Sequence, residues 1–245
     1  MKIKPIIKSA SRALKSSYLK CITALMTVLI LYICLIFFEA IFDSIIGETA
    51  VKSATFAIYI IIIMPLILGV KRMYFMMCKN TSADINDCFI YFSSSKLFFK
   101  GLTLQLIKKS IILASIAILV VPFIAAAFAY VQTPIICAVM LGLSAIGIAV
   151  TLRINLSLFL SDYCFFICHR PLRSIRLSAK MMKHQRGELL TMFIKLLPLY
   201  ISCILILPVF YVAPLYMTAA AYYSKIIIYR FSLRSRSTDI EQQDV

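Results

Sequence analysis

The amino-acid sequence predicts an all-α protein that crosses a membrane repeatedly, a bundle of about six transmembrane helices with amphipathic helices on its cytoplasmic side. Three observations carry this expectation. Of the 245 residues, 62% are hydrophobic and only 15% charged, whereas a soluble domain is about a quarter charged. Six stretches, 21–42, 54–74, 110–130, 134–154, 189–208 and 211–229, approach the ~20 residues a helix needs to cross a hydrocarbon core. The 26 basic residues gather in alternate connections. Helices are expected rather than barrel strands. A run such as YIIIIMPLILGV at 59–70 lacks polar–apolar alternation, and a helix satisfies its own backbone groups in lipid.

Taken in order, residues 1–20 form a basic flank with Lys2, Lys4, Lys8, Arg12, Lys15 and Lys20. The apolar run at 21–38 exceeds a signal-peptide core of about 7–15 residues and shows no small-residue cleavage site, so it reads as a retained first span. The connection DSIIGETAVKS at 43–53 is short and slightly acidic. The connection after the second span is long and basic, with Lys71, Arg72, Lys79, Lys96, Lys100, Lys108 and Lys109. Within it, SADINDCFIYFSSSKLFFK at 82–100 reads as an amphipathic element. Ser82, Asp84 or Asn86 is placed to cap its start, and Ile85, Cys88, Phe89 and Phe92 share a face. The third and fourth spans meet at the uncharged VQTP, 131–134.

The next connection is basic again, with Arg153, Arg170, Arg173, Arg176, Lys180, Lys183 and Arg186. The fifth and sixth spans meet without charge between Pro208 and Pro214. Lys225, Arg230, Arg234 and Arg236 follow at the C-terminal end. Only Lys52 and Lys195 escape this pattern. Lys/Arg-rich connections stay in the cytoplasm, so both termini are expected there, in a multi-pass protein of the cytoplasmic membrane. Residues 1–236 read as one membrane domain and 237–245 as a polar tail expected to fray. With no Trp present, Tyr18, Tyr74, Tyr130, Tyr200 and Tyr229 take the interfacial positions. Pro65, Pro122, Pro198 and Pro208 read as helix kinks; the sharper alternative is a broken helix lining a substrate site.

The most charged stretch, HRPLRSIRLSAKMMKHQRGE at 169–188, lies between two apolar ones. On a helix over 172–186, Leu172, Ile175, Ala179 and Met182 fall on one face, and Arg173, Arg176, Lys180, Lys183 and His184 on another. Pro171 suits its first turn and Gly187 its end. Such a helix lies in the membrane interface. Arg170, Arg173, Arg176, Lys180, Lys183 and Arg186 are then the residues expected to meet the anionic inner leaflet, at about 1 kcal/mol each. Docking of a protein partner is the alternative.

Chemistry-bearing patterns are scarce. There is no zinc-protease helix, nucleophile elbow or phosphate-cradling glycine loop, and no nucleic-acid motif. Cys164, Cys168 and His169 are close in sequence, but a structural zinc site needs four ligands, and Cys78, Cys88 or His184 would have to complete it. No metal, cofactor or catalytic residue is therefore expected. Cys21, Cys34, Cys137 and Cys203 sit in apolar runs and read as small hydrophobes; disulfides are not expected in a reducing compartment. Asp162 is expected to pair with Arg153 or the basic helix. Glu39 and Asp43 lie at the outer end of the first span. Lys195, near the inner end of the fifth, can snorkel to the interface.

PLILG at 65–69, DINDCFIYF at 84–92, LFLSD at 158–162, SAKMMK at 178–183 and APLYMTAAAYY at 213–223 occur in an order that resembles an uncharacterised family of bacterial six-helix integral membrane proteins. That family is related to the membrane domain of some glycerophosphodiester phosphodiesterases. The chain departs from the family at His184, where a glycine is usual, and in lacking the Trp of the fifth helix. The resemblance implies a cytoplasmic-membrane protein with no assigned reaction or ligand. Together these readings favour a non-enzymatic accessory or scaffold protein acting on lipid or a partner. The alternative is a transporter or exporter component for a peptide or lipid.

The charge pattern predicts a topology. With single cysteines on a Cys-free background, positions 48 and 132 should react with an impermeant thiol reagent from outside, and 90 and 178 should not. Outside labelling at 178 would overturn it.

Overall fold

The computed structural model describes residues 3–79, 84–129, 134–202 and 206–241, and their regular structure is all helical. The order is α1 (Ile3–Ser16), α2 (Tyr18–Ile46), α3 (Glu48–Ile58), a π-helical segment (Tyr59–Ile63) and α4 (Met64–Cys78). A 3-10 turn (Ile85–Phe89) leads into α5 (Ser95–Ala129), α6 (Pro134–Leu158), α7 (Ser161–Cys168), α8 (Pro171–Met182), α9 (Arg186–Ser202) and α10 (Ile206–Glu241).

Four described stretches are long and apolar enough to cross a membrane: Tyr18–Ile45, Glu48–Cys78, Ser95–Ala127 and Ala138–Cys168. They coincide with the first four expected spans. The fifth, 189–208, runs through 203–205, outside the described residues; α9 covers its first part. The sixth falls within α10, which continues past Arg236 to Glu241. The connection at 131–134 lies mostly outside the described residues.

The expected outer loop at 43–53 is instead a one-residue reversal. α2 runs to Ile46, Gly47 takes φ 101°, and α3 begins at once. Only glycine enters that backbone region freely. Glu48 places a negative charge in the first turn of α3, where the helix dipole favours it, and pairs with Lys52 one turn on. Pro65 leaves its mark upstream. A proline has no N–H, and its ring crowds the carbonyl four residues back. The helix accordingly widens to π geometry over Tyr59–Ile63 and then resumes as α4. Pro122, Pro198 and Pro214 likewise lie inside continuous helices.

The packed core gathers at the basic end. Leu14, Cys21, Met73, Tyr74, Phe75, Leu160, Tyr163, Met182, Leu189 and Tyr223 belong to one buried cluster. The hydroxyl of Tyr74 donates to the Cys21 carbonyl at 3.0 Å, tying α4 to α2. Lys225 Nζ donates to the Cys78 carbonyl at 2.6 Å, a cation at the negative end of α4. Away from this end, α2, α5 and α6 display large apolar side chains; Phe37 is 62% and Leu113 69% exposed. That is a surface for acyl chains, not water. In lipid, small residues let helices approach. At Gly147 of α6 an added Cβ would lie 2.8 Å from Leu119 Cα of α5, and Thr151 Oγ1 donates to the Ser115 carbonyl at 2.8 Å.

Two further elements differ from expectation. The basic flank contains a helix, α1, docked on α10. Its Ile6, Ala10 and Leu14 are buried while Lys8, Arg12 and Lys15 are exposed. The element at 82–100 begins at Asp84, whose carboxylate accepts the Ile85 N–H at 2.8 Å; Asp87 accepts the Asp84 N–H at 3.1 Å. Its inward residues are Cys88 and Tyr91, while Phe89 and Phe92 are exposed. A 3-10 turn brings positions i and i+3 together, and this displaces the α-helical face first expected. Ser82 lies outside the described residues.

The 3-10 turn rests on α4 at Gly69, where an added Cβ would fall 1.8 Å from the Cys88 carbonyl oxygen. Gly69→Ala should cost about 3 kcal/mol, read by SDS-induced unfolding from mixed micelles. Gly142→Ala, with nothing within 4 Å, should be neutral. Equal behaviour of the two variants would refute this packing.

Candidate functional site

The chain leaves α6 at Leu158, turns at 159–160 and starts α7 at Ser161. This turn carries Asp162 into the protein, where its side chain is 1% exposed. Lys71 Nζ of α4 donates to Asp162 Oδ2 at 2.5 Å, and Lys108 Nζ of α5 to the same oxygen at 2.8 Å. Gln105 Nε2 lies 3.4 Å from Oδ1. The expected partners of Asp162 are therefore corrected. Arg153 stays on the exposed side of α6, before the turn, and the arginines of α8 point outward. One carboxylate here faces two ammonium groups, whose side chains are 25% and 14% exposed.

A second group adjoins the first. Phe165 lies one turn after Asp162 on the same side of α7. The Tyr91 ring stacks on it at 6.2 Å between centroids, and Leu68 and Leu104 close the cluster. The Arg72 guanidinium lies beside Tyr91, and the Asp162 charge reaches it as well. Burial pushes the Tyr91 hydroxyl well above its ordinary pKa, against the pull of Arg72. Tyr91 is 0% exposed; its hydroxyl can accept from the Arg72 guanidinium, but neither its own proton nor Arg72 Nε has an acceptor. This cluster offers hydrogen-bond donors and net positive charge.

The basic stretch forms α8 from Pro171, as its composition predicts, but the helix ends at Met182. Gly187 sits in the first turn of α9 rather than closing α8. Arg170, Arg173, Arg176, Lys180 and Lys183 are exposed, with Lys180 Nζ 5.9 Å from the Phe231 ring centre. Arg186 departs from this group. It is half-buried at the start of α9, with Nε buried and unpartnered. The buried face is Ser174, Ser178, Met181 and Met182. Of the expected apolar face, Met182 is buried, Ile175 and Ala179 are half-buried, and Leu172 is 59% exposed. The helix is thus rotated about a quarter turn from the position hydrophobicity alone gives. Small hydroxyl side chains allow the close approach; Ser178 Oγ donates to the Ser157 carbonyl at 2.6 Å.

Cys164 is buried with Sγ 4.0 Å from Met181 Sδ, and Cys168 is half-buried. His169 ends α7 in the left-handed conformation, φ 51°, with its N–H donating to the Phe165 carbonyl at 2.9 Å. Among the described residues no three of His, Cys, Asp or Glu are grouped to hold a metal. Cys21, Cys34, Cys78, Cys88, Cys164 and Cys168 are free thiols.

Lys71, Arg72, Tyr91, Gln105 and Lys108 were not legible as a site. In the sequence they are topology-setting charges and interfacial residues. The one available signal was Asp162, a lone acid in the apolar stretch LFLSDYCFF. No family model matches the chain, and no curated protein or solved structure matches it.

Burial pushes the Cys88 thiol from 9.0 up to about 12, with the Asp87 charge adding to the rise. The thiolate is the reactive form. At pH 8, Cys88 should alkylate roughly a thousandfold more slowly than an ordinary thiol, and Cys168 should label before it. The Cys88 rate should climb with pH until the thiol ionises. Peptide mass spectrometry after maleimide treatment would read both sites; comparable rates would contradict the buried placement.

Proposed function

We propose that this chain is a six-span, non-enzymatic protein of the cytoplasmic membrane, with both termini and its basic end in the cytoplasm. There it acts as a scaffold that engages anionic lipid headgroups. The family resemblance described above belongs to the same proposal. The observation that carries it is the separation of charge from apolar surface. Arg173, Arg176, Lys180 and Lys183 of α8 and Lys8, Arg12 and Lys15 of α1 are exposed around one packed core, while bare apolar helices extend away from it. The Ser/Met face of α8 is used for docking, so the helix is held by protein and its cations are free to face headgroup phosphates.

The sequence weighs against an ion-coupled transporter. Residues 21–38, 53–70, 110–129 and 134–152 contain no Asp, Glu, Lys or Arg, and Lys195 of the fifth span lies near its inner end, whereas a coupled carrier places ionisable groups at mid-membrane.

Spin-labelled lipids would test the reading. In bilayers of phosphatidylcholine and phosphatidylglycerol, the full chain should immobilise phosphatidylglycerol preferentially. The preference should shrink as salt rises. It should fall steeply when Arg173, Arg176, Lys180 and Lys183 are all changed to Gln, at about 1 kcal/mol per charge. Indifference to both salt and substitution would reject the reading.

A further inference from the structure

Beyond the exposed cations of α8, the buried cluster has an arrangement that mutual pairing does not explain. Lys71 and Lys108 share one oxygen of Asp162, and each ammonium carries three donors. Arg72, the next residue on α4, turns toward Tyr91 instead. Two cations therefore face one carboxylate, and a third lies against Tyr91 beside them. The Tyr91 hydroxyl is fully buried with the Arg72 guanidinium as its neighbour, and neither its own proton nor Arg72 Nε has an acceptor. Leaving a buried donor unsatisfied is costly, and natural structures rarely retain two side by side without a reason. Both donors, and the surplus charge, ask for the same thing: an acceptor-only group with several oxygens and negative charge. A phosphoryl group meets that description, and arginine's planar fork matches its oxygens.

We propose that Arg72, Tyr91, Lys71 and Lys108 frame a binding site for a phosphoryl anion. Asp162 and Gln105 position the lysines, and Phe165 holds the Tyr91 ring in place. The phosphoryl group belongs either to a lipid headgroup or to a soluble phosphate. The inference rests on the proposed basic end meeting phosphate-bearing lipid only for the first source.

The full chain in phosphatidylcholine nanodiscs, melted in the presence of a thiol-reactive dye, tests the site. One arm adds inorganic phosphate, and the other replaces part of the lipid with phosphatidic acid. The wild-type midpoint should rise by about 5 °C in at least one arm at saturating probe; the responding arm identifies the source. Tyr91→Phe should lose the rise, read as the shift from its own probe-free midpoint. Arg72→Gln should weaken binding about tenfold. The α8 quadruple Gln variant should lose headgroup preference yet keep the Tyr91-dependent rise. The site is refuted if wild type responds in neither arm, or if Tyr91→Phe and Arg72→Gln respond undiminished. A rise that vanishes in the α8 variant but survives in Tyr91→Phe would also refute it, while leaving the surface reading intact.

Discussion

A single buried carboxylate organises the basic end of this protein. Asp162 lies on α7 and is bonded to Lys71 on α4 and Lys108 on α5. Each charge alone would be costly to remove from water. Together they are tolerated only while all three helices stay in register, so the charges specify an arrangement rather than merely contributing to stability. The neighbouring contacts depend on that arrangement. Phe165 stacks on Tyr91, Tyr91 belongs to the segment whose Cys88 carbonyl sits on Gly69, and Gly69 lies half a turn from Lys71 on α4.

The rest of the fold follows a membrane logic. Where α2, α5 and α6 extend from the core, their large side chains are left bare, because lipid offers no penalty for exposing them. Contact there rests on close backbone approach, as at Gly147, and on single hydroxyl bonds such as Thr151 to Ser115. At the basic end the interactions change character. Charged and hydroxyl groups are directed to carbonyls and carboxylates, from Lys225 on the last turn of α4 to Ser178 on Ser157.

Much of this was legible beforehand. The apolar runs located α2, α5 and α6, Asp84 was one of three candidate caps, and Pro171 marked the first turn of α8. The missing parts share a cause. Asp162 pairs with residues 91 and 54 positions away, and periodicity along one segment carries no information about which helices meet. The α8 face was misplaced because hydrophobicity ranks Leu172 above Ser174, whereas close helix contact in this setting favours the smaller residue. Docking of α1 had a signal in Ile6, Ala10 and Leu14, but Lys8, Arg12 and Lys15 between them read as a topology marker. The reversal at Gly47 looked like a loop because a one-residue turn between two helices needs only a glycine, not a stretch of polar sequence.

The central claim, that the Asp162 carboxylate binds α4, α5 and α7 into one unit, is tested most directly by unfolding Asp162→Asn in SDS titrations alongside Asp162→Asn combined with Lys108→Met. Removing the carboxylate leaves two ammonium groups buried without their counter-charge, and the single variant should lose about 3–5 kcal/mol. Removing one stranded ammonium as well should restore a substantial part of that loss. An Asp162→Asn protein as stable as wild type, or a double variant weaker than the single by the full cost of a second independent change, would contradict the account.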